Sequence, residues 1–230
     1  MKAADLLDVP PAAAHAAYLA EVTSVSDPDA LGRVQVRLLN YDGVADQDAA
    51  VWARVAVPFA GDRRGALFVP DVGDEVLVTL LGGDPRYPVV LGGLWNGRNA
   101  PPDRFPSDRV DRWLFVGRNG TRVAIVEAAD GQEVIELHTP GGQKVDVTSA
   151  SGGSVTLDLG TGTSLTLDAA GVTVQTAAKV SVQASTVQVD AGQVTVNAAM
   201  SRFSGVVQGD TLIATTVVAT TYTPGAGNIW

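Results

Sequence analysis

Between residues 153 and 197 one small unit recurs: two or three aliphatic residues at alternate positions, a short polar turn, then the unit again. The sets are Val155, Leu157 and Leu159; Leu165 and Leu167; Val172 and Val174; Val180 and Val182; Val187 and Val189; Val194 and Val196. Alternation by two is a strand signature, and return of the unit every seven to ten residues is a solenoid signature. A single-chain β-helix needs about three strands per coil, which a unit this short does not supply. Three identical chains wound about one axis solve the problem. They place every second residue inside, pair each strand with one from a neighbouring chain, and leave no open edge. These thirteen residues are therefore the expected trimer core, each worth roughly 1.5–3 kcal/mol gross when fully buried. The repeat by itself also fits a monomeric solenoid or the stalk of a secreted adhesin.

Composition narrows the classes. The chain has 230 residues, 46% of them hydrophobic, enough for a packed core. No segment approaches the eighteen or so apolar residues of a membrane span, and Asp5, Asp8, Pro10 and Pro11 stand where a signal peptide would be apolar. Assembly in the cytoplasm is the expectation. With no cysteine there are neither disulfides nor thiolate metal sites. A net charge of −9 argues against a surface that tracks phosphates. Residues 1–112 hold 27 of the 41 charged side chains, so the two halves follow different physical specifications.

From Tyr18 the chain reads as strand and turn. YLAEVTSV, the polar turn SDPDALG and RVQVRLL form a hairpin; Val51–Ala60, Gly73–Leu81 and a run from Val89 add three more strands. Five short strands in about 80 residues without a convincing helix fit a small closed barrel of the OB type. Three prolines and six charges in residues 99–112 mark a linker. Longer alternating strands with Gly-containing turns follow and lead into the valine units. After Met200 the rhythm lapses. The expected organisation is all-β: an N-terminal arm at 1–16, the OB-fold barrel at 17–98, the linker at 99–112, an intertwined homotrimeric β-helix at 113–205 and a C-terminal tip at 206–230.

No catalytic constellation stands out, and neither catalytic residues, cofactor nor metal is expected. GTGTS at 160–164 lacks the lysine of a phosphate loop. Asp27-Pro28-Asp29 and Asp46-Gln47-Asp48 break the calcium-loop frame, with Leu31 at the next ligand position, and read as solvated turn aspartates. Glu127, Glu133 and Glu136 read as exposed strand positions rather than a glycosidase pair, and His138 as a satisfied or exposed side chain. An OB barrel that binds nucleic acid needs aromatic platforms in a cationic groove. Tyr18, Trp52, Phe59 and Phe68 are scattered, and residues 1–112 carry 11 basic against 16 acidic side chains, so no nucleic-acid partner is expected.

The stretch from Gly65 to Pro102 carries Pro70, Gly73-Asp74-Glu75-Val76, Gly83-Asp84-Pro85, Pro88-Val89-Val90-Leu91-Gly92 and Asn96-Gly97. In that order and spacing it resembles the OB-fold domain of phage baseplate assembly protein V, the central spike of contractile tails, and its VgrG relatives in type VI secretion. Gly32 to Arg37 and Trp52-Ala53-Arg54 fit the same pattern, and Gly120, Asp130-Gly131, Glu133, Ile135 and Gly141-Gly142 resemble the opening of that family's β-helix. The resemblance implies a non-enzymatic homotrimeric spike within a phage tail or injection particle. Its OB collar docks on a baseplate hub, and its β-helix pierces the target cell envelope. The alternative is a β-solenoid glycan-active or adhesive protein. Some relatives carry a lysozyme domain between barrel and helix, for which 14 linker residues leave no room. Others end in a His-x-His iron tip, a pattern that His15 and His138 do not form. At the C-terminus, Ile229 and Trp230 either fold back to plug the shaft or form a docking platform for a PAAR-like tip protein, as the resemblance implies.

Overall fold

The computed structural model describes residues 17–39 and 50–221, which fall into two compact units dividing after Lys179. Among the described residues the first unit holds all the regular strands. Its N-terminal part comprises β1 (Ala17–Ser24), β2 (Val34–Leu38), β3 (Val51–Val55), β4 (Ala60–Gly61), β5 (Arg64–Gly65), β6 (Glu75–Leu80) and β7 (Pro88–Leu94). Five of these close into a barrel in the order β1-β2-β3-β7-β6. Alternate residues fill it: Ala20, Val22, Val34, Val36, Ala53, Val76, Val78 and Val90 are all 0–1% exposed. Leu77 pairs with Gly92 and Val78 with Val90, so Leu91 is an extra residue in β7. This bulge turns Leu91 outward while Val90 stays in the core.

The third strand ends at Val55 rather than at Ala60. Pro58 has no amide proton to extend the ladder, and residues 60–65 instead fold into the separate β4-β5 ribbon, with Arg63 at a φ of 54°. The turn between β1 and β2 also differs from expectation. Asp27 is no solvated turn aspartate, for its side chain is 4% exposed. Its carboxylate accepts the backbone N–H groups of Asp29 (3.1 Å), Leu31 (2.9 Å) and Arg33 (3.1 Å). The Arg33 guanidinium donates to it at 2.6 Å and to Asp29 at 2.5 Å. That clamp holds Ala30 at a φ of 52°, a left-handed conformation costly for any residue with a Cβ.

Beyond the barrel lie β8 (Arg112–Val116), β9 (Arg122–Glu127), β10 (Glu133–His138), β11 (Lys144–Thr148), β12 (Ser154–Asp158), β13 (Ser164–Asp168) and β14 (Gly171–Gln175). They form one antiparallel sheet in strict chain order. Pairing of every strand with a neighbouring chain, expected from the repeat, does not hold here: each strand pairs with its own sequence neighbours. The cause is local. Gly120, Gly131, Gly142 and Gly162, at φ between 74° and 87°, supply the left-handed residue that lets the chain reverse in a few positions.

The second unit is built otherwise. Residues 180–221 run as extended segments separated by bends, and among the described residues none of them joins a strand ladder or is even half-buried. The N-terminal arm at 1–16 and the last nine residues, 222–230, lie outside the described residues.

Candidate functional site

The β8–β14 sheet has two faces of opposite chemistry. Directly opposed residues in an antiparallel ladder share a face, as do residues two apart in one strand. One column therefore runs Phe115, Val123, Leu137, Val145, Leu157, Leu165, Val174. A second runs beside it: Trp113, Ile125, Ile135, Val147, Val155, Leu167, Val172. Every strand contributes two apolar side chains to the same face. At about 4.8 Å between strands the double column is roughly 29 Å long.

This face is uncovered in the single chain. Eleven of its fourteen side chains are 39–69% exposed, Phe115 at 63% and Trp113 at 53% among them. Removing the remaining half of one aliphatic side chain from water is worth roughly 1 kcal/mol. A continuous apolar stripe of this extent marks a surface that another chain covers.

The opposite face is polar and already engaged. Its central column passes from Leu114 and Ala124 through Glu136 and Asp146 to Thr156, Thr166 and Thr173. Arg122 is bound by Glu136 at 2.7 Å, and Asp103 accepts from Arg112 at 2.9 Å and from Arg122 at 3.4 Å. Arg109 donates to the carbonyls of Glu127 and Ala128. The 99–112 segment is thus pinned across this face. Asp111 is 3% exposed, and the adjoining Arg112 guanidinium holds its carboxyl below the usual carboxylate range.

Of the thirteen residues expected in the trimer core, Val155, Leu157, Leu165, Leu167, Val172 and Val174 lie in the two columns. Leu159 follows β12 and lines a hollow of about 240 Å³ with Val123, Leu137, Val145 and Leu157. Val180, Val182, Val187, Val189, Val194 and Val196 belong to the unpaired second unit, 63–72% exposed. Reading from the shortest repeats missed the upper part of the columns, from Trp113 to Val147. The signal was present as alternation within β8–β11, masked by wider strand spacing. Ile229 and Trp230 lie outside the described residues, as do His15, Asp46 and Asp48.

The barrel motif residues occupy turns and ladder ends. Gly73, at a φ of 90°, donates its N–H to the Val22 carbonyl. The Asp74 carboxylate accepts the Asp71 N–H at 2.8 Å, and Pro70 leads into that turn. Glu75 accepts from the Asn96 side chain at 2.6 Å, while Val76 points into the core. Gly83 sits at a φ of 74° before Asp84, whose carboxylate takes the Arg86 guanidinium at 2.6 Å across Pro85. Gly92 lies at the bulge. The Asn96 Oδ1 accepts the N–H groups of Arg98 and Asn99 around Gly97. The motif positions thus sit in the turns and ladder ends of the barrel.

The remaining candidates are likewise engaged. His138 Nε2 lies 2.6 Å from Asp146. Glu136 binds Arg122, and the Glu133 carboxylate takes the Ser149 hydroxyl and the Gly131 N–H, which holds its pKa below the ordinary value. Arg33 lies over the Trp52 ring at 5.7 Å. Among the described residues no three His, Asp or Glu side chains gather as a metal site.

Comparison with known proteins bears on both halves. Residues 18–95 match the type VI secretion system/phage-baseplate injector OB domain, and residues 134–200 match the phage baseplate V C-terminal trimerisation domain. The type VI secretion system spike protein VgrG5 of Pseudomonas aeruginosa is 36% identical over 116 residues, covering 48% of this chain and 15% of that protein. VgrG3 of Vibrio cholerae, also a type VI secretion system spike protein, is 33% identical over 115 residues, 48% of this chain and 11% of its own. The actin cross-linking toxin VgrG1 of Vibrio cholerae is 30% identical over 115 residues, 48% of this chain and 10% of its own. The matched region is therefore well under a fifth of the length of these relatives.

Proposed function

We propose, from the matches of residues 18–95 to the injector OB domain and of residues 134–200 to the phage baseplate V trimerisation domain, that the chain is a non-enzymatic homotrimeric central spike of a contractile phage tail or phage-like injection system. The observation that carries this reading is the uncovered double column from Trp113 to Val174. Three such sheets, turned face to face, bury all their apolar columns against one another and keep the ionic and threonine face in water. A prism closed in this way resists bending, because each wall is a continuous hydrogen-bonded sheet.

In this arrangement the barrels form a collar that docks on the baseplate hub, and the shaft transmits axial force to the target cell envelope. Its distal end, with Ile229 and Trp230, takes a PAAR-like tip protein. The parts assemble in the cytoplasm before the particle is loaded. The acidic balance of the barrel half, 11 basic against 16 acidic residues in 1–112, speaks against nucleic acid as a partner.

Sedimentation of the purified chain tests the reading. The expected species has three times the 23.7 kDa chain mass at micromolar concentration. A folded monomer at that concentration would overturn the proposal.

A further inference from the structure

The second unit keeps a frame that the bare sequence conceals. Its bends fall at Ser185, Gly192, Ala199, Gly205, Asp210, Thr215 and Thr220, that is, at steps of seven, seven, six, five, five and five. In the seven-residue steps the valines are second and fourth after the bend: Val187 and Val189, then Val194 and Val196. Counted the same way, the second residues of the five-residue steps are Val207, Leu212 and Val217, and the fourth are Gly209, Ala214 and Ala219. The rhythm that lapses after Met200 in the sequence has in fact changed step. Aliphatic neighbours obscure it, since Val206, Ile213 and Val218 stand at first or third positions.

Exposure separates the two sets even in one chain. Val207, Leu212 and Val217 are 70%, 84% and 60% exposed, against 96%, 93% and 94% for Val206, Ile213 and Val218. Alternation along an extended segment puts second and fourth positions on one side and first and third on the other. The fourth position holds valine where the step is long and only glycine or alanine where it is short.

We propose that residues 206–221, after the six-residue step that carries Ser201 and Phe203 at its second and fourth positions, form a second, narrower stage of the homotrimeric shaft, in which each chain gives one inward aliphatic side chain per step instead of two, with a small residue filling the corner. The partner is two further copies of this chain, so the inference rests on the trimeric reading above. Extended backbone without ladder partners of its own leaves its N–H and C=O groups open to pairing with other chains, and burial in a closed shaft requires that pairing. The bend frame runs in chain order from the valine pairs into this segment. At about 3.3 Å per residue a step shortens from roughly 23 Å to roughly 17 Å. For a triangular section of constant shape, the area falls to about half. The same axial load then acts with about twice the pressure.

A chain without cysteine gives a clean background for the test. In Leu212→Cys the thiol is expected to label with a bulky maleimide at least tenfold more slowly than in Ile213→Cys, and to form interchain disulfides on oxidation where Ile213→Cys forms none. Val217→Cys against Val218→Cys repeats the comparison if the first pair fails to fold. A sedimenting trimer in which both members of a pair label equally overturns the narrow stage and leaves the trimeric reading standing. A monomer overturns both.

Discussion

Phe68, on the barrel loop after β5, stacks on Phe115 at the head of the first apolar column, with ring centroids 5.3 Å apart and planes 6° from parallel. Beside them Arg118 reaches Asp71 at 2.5 Å. The loop thus touches the head of the column while leaving Phe115 63% exposed, and an aromatic pair and an ion pair link barrel and sheet. Phe68→Ala is expected to cost about 0.5–1.5 kcal/mol and to raise hydrogen exchange at the β8 and β9 amides. Exchange rates unchanged from wild type would show that the contact couples nothing.

The two faces of the sheet make opposite predictions for the same chemical change. Leu165→Asp puts an unpaired carboxylate into each third of the closed shaft, a burial costing several kcal/mol per copy, and is expected to abolish the trimer in sedimentation. Thr166→Asp, one residue along on the polar face, is expected to leave the oligomer intact. Equal sensitivity at both positions would contradict the assignment of faces.

Turn stability should depend on acid through Asp27. The Arg33 guanidinium, with backbone N–H groups, holds its carboxyl well below the ordinary 3.8. In the unfolded chain the group protonates near that ordinary value. Its contribution is therefore complete at neutral pH, begins to fall as pH drops through about 3.8, and goes on falling towards the folded value. Asp84, lowered to about 2 by the Arg86 guanidinium, behaves in the same sense. Asp27→Asn should lower the melting temperature at pH 7 more than at pH 3. A difference that is the same at both pH values would exclude this linkage.

Turn glycines are not equivalent. A Cβ on Gly160 would meet the Gly142 carbonyl oxygen at 2.9 Å, and the residue has a φ of 69°. Gly162 has a φ of 80° but open space around it. Gly162→Ala is expected to cost about 1 kcal/mol for the backbone alone, and Gly160→Ala measurably more. Thermal unfolding of the two variants checks the order.

How far the fold was legible follows from what each residue does. Barrel strands declared themselves because Val34 and Val36, or Val76 and Val78, alternate with polar neighbours and sit between Gly- and Asp-bearing turns. Two-residue alternation from Val155 onward equally announced an apolar face. It could not say who pairs with whom, because a strand looks alike whether its partner belongs to the same chain or another. The answer lay in turn geometry at Gly120, Gly131, Gly142 and Gly162. Asp27 was misread because spacing alone does not reveal an arginine six residues on closing over it. The five-residue steps after Gly205 were hidden because outward positions there are aliphatic too.

Three strings of beads with the same two-valine unit every seventh residue can slide past one another by one unit and lose little more than a layer at each end. The hairpin meander from β8 to β14 guards against that mistake. Each chain completes this wall alone, and in the proposed trimer its unequal turns would favour one stagger of three walls over others. In the proposed trimer the distal tract, whose described residues 180–221 have no ladder partner within the chain, would then close as a zip closes, upward from teeth already aligned. Errors in this protein should therefore arise from damage to the wall rather than to the valines, and should take the form of shafts with ragged ends.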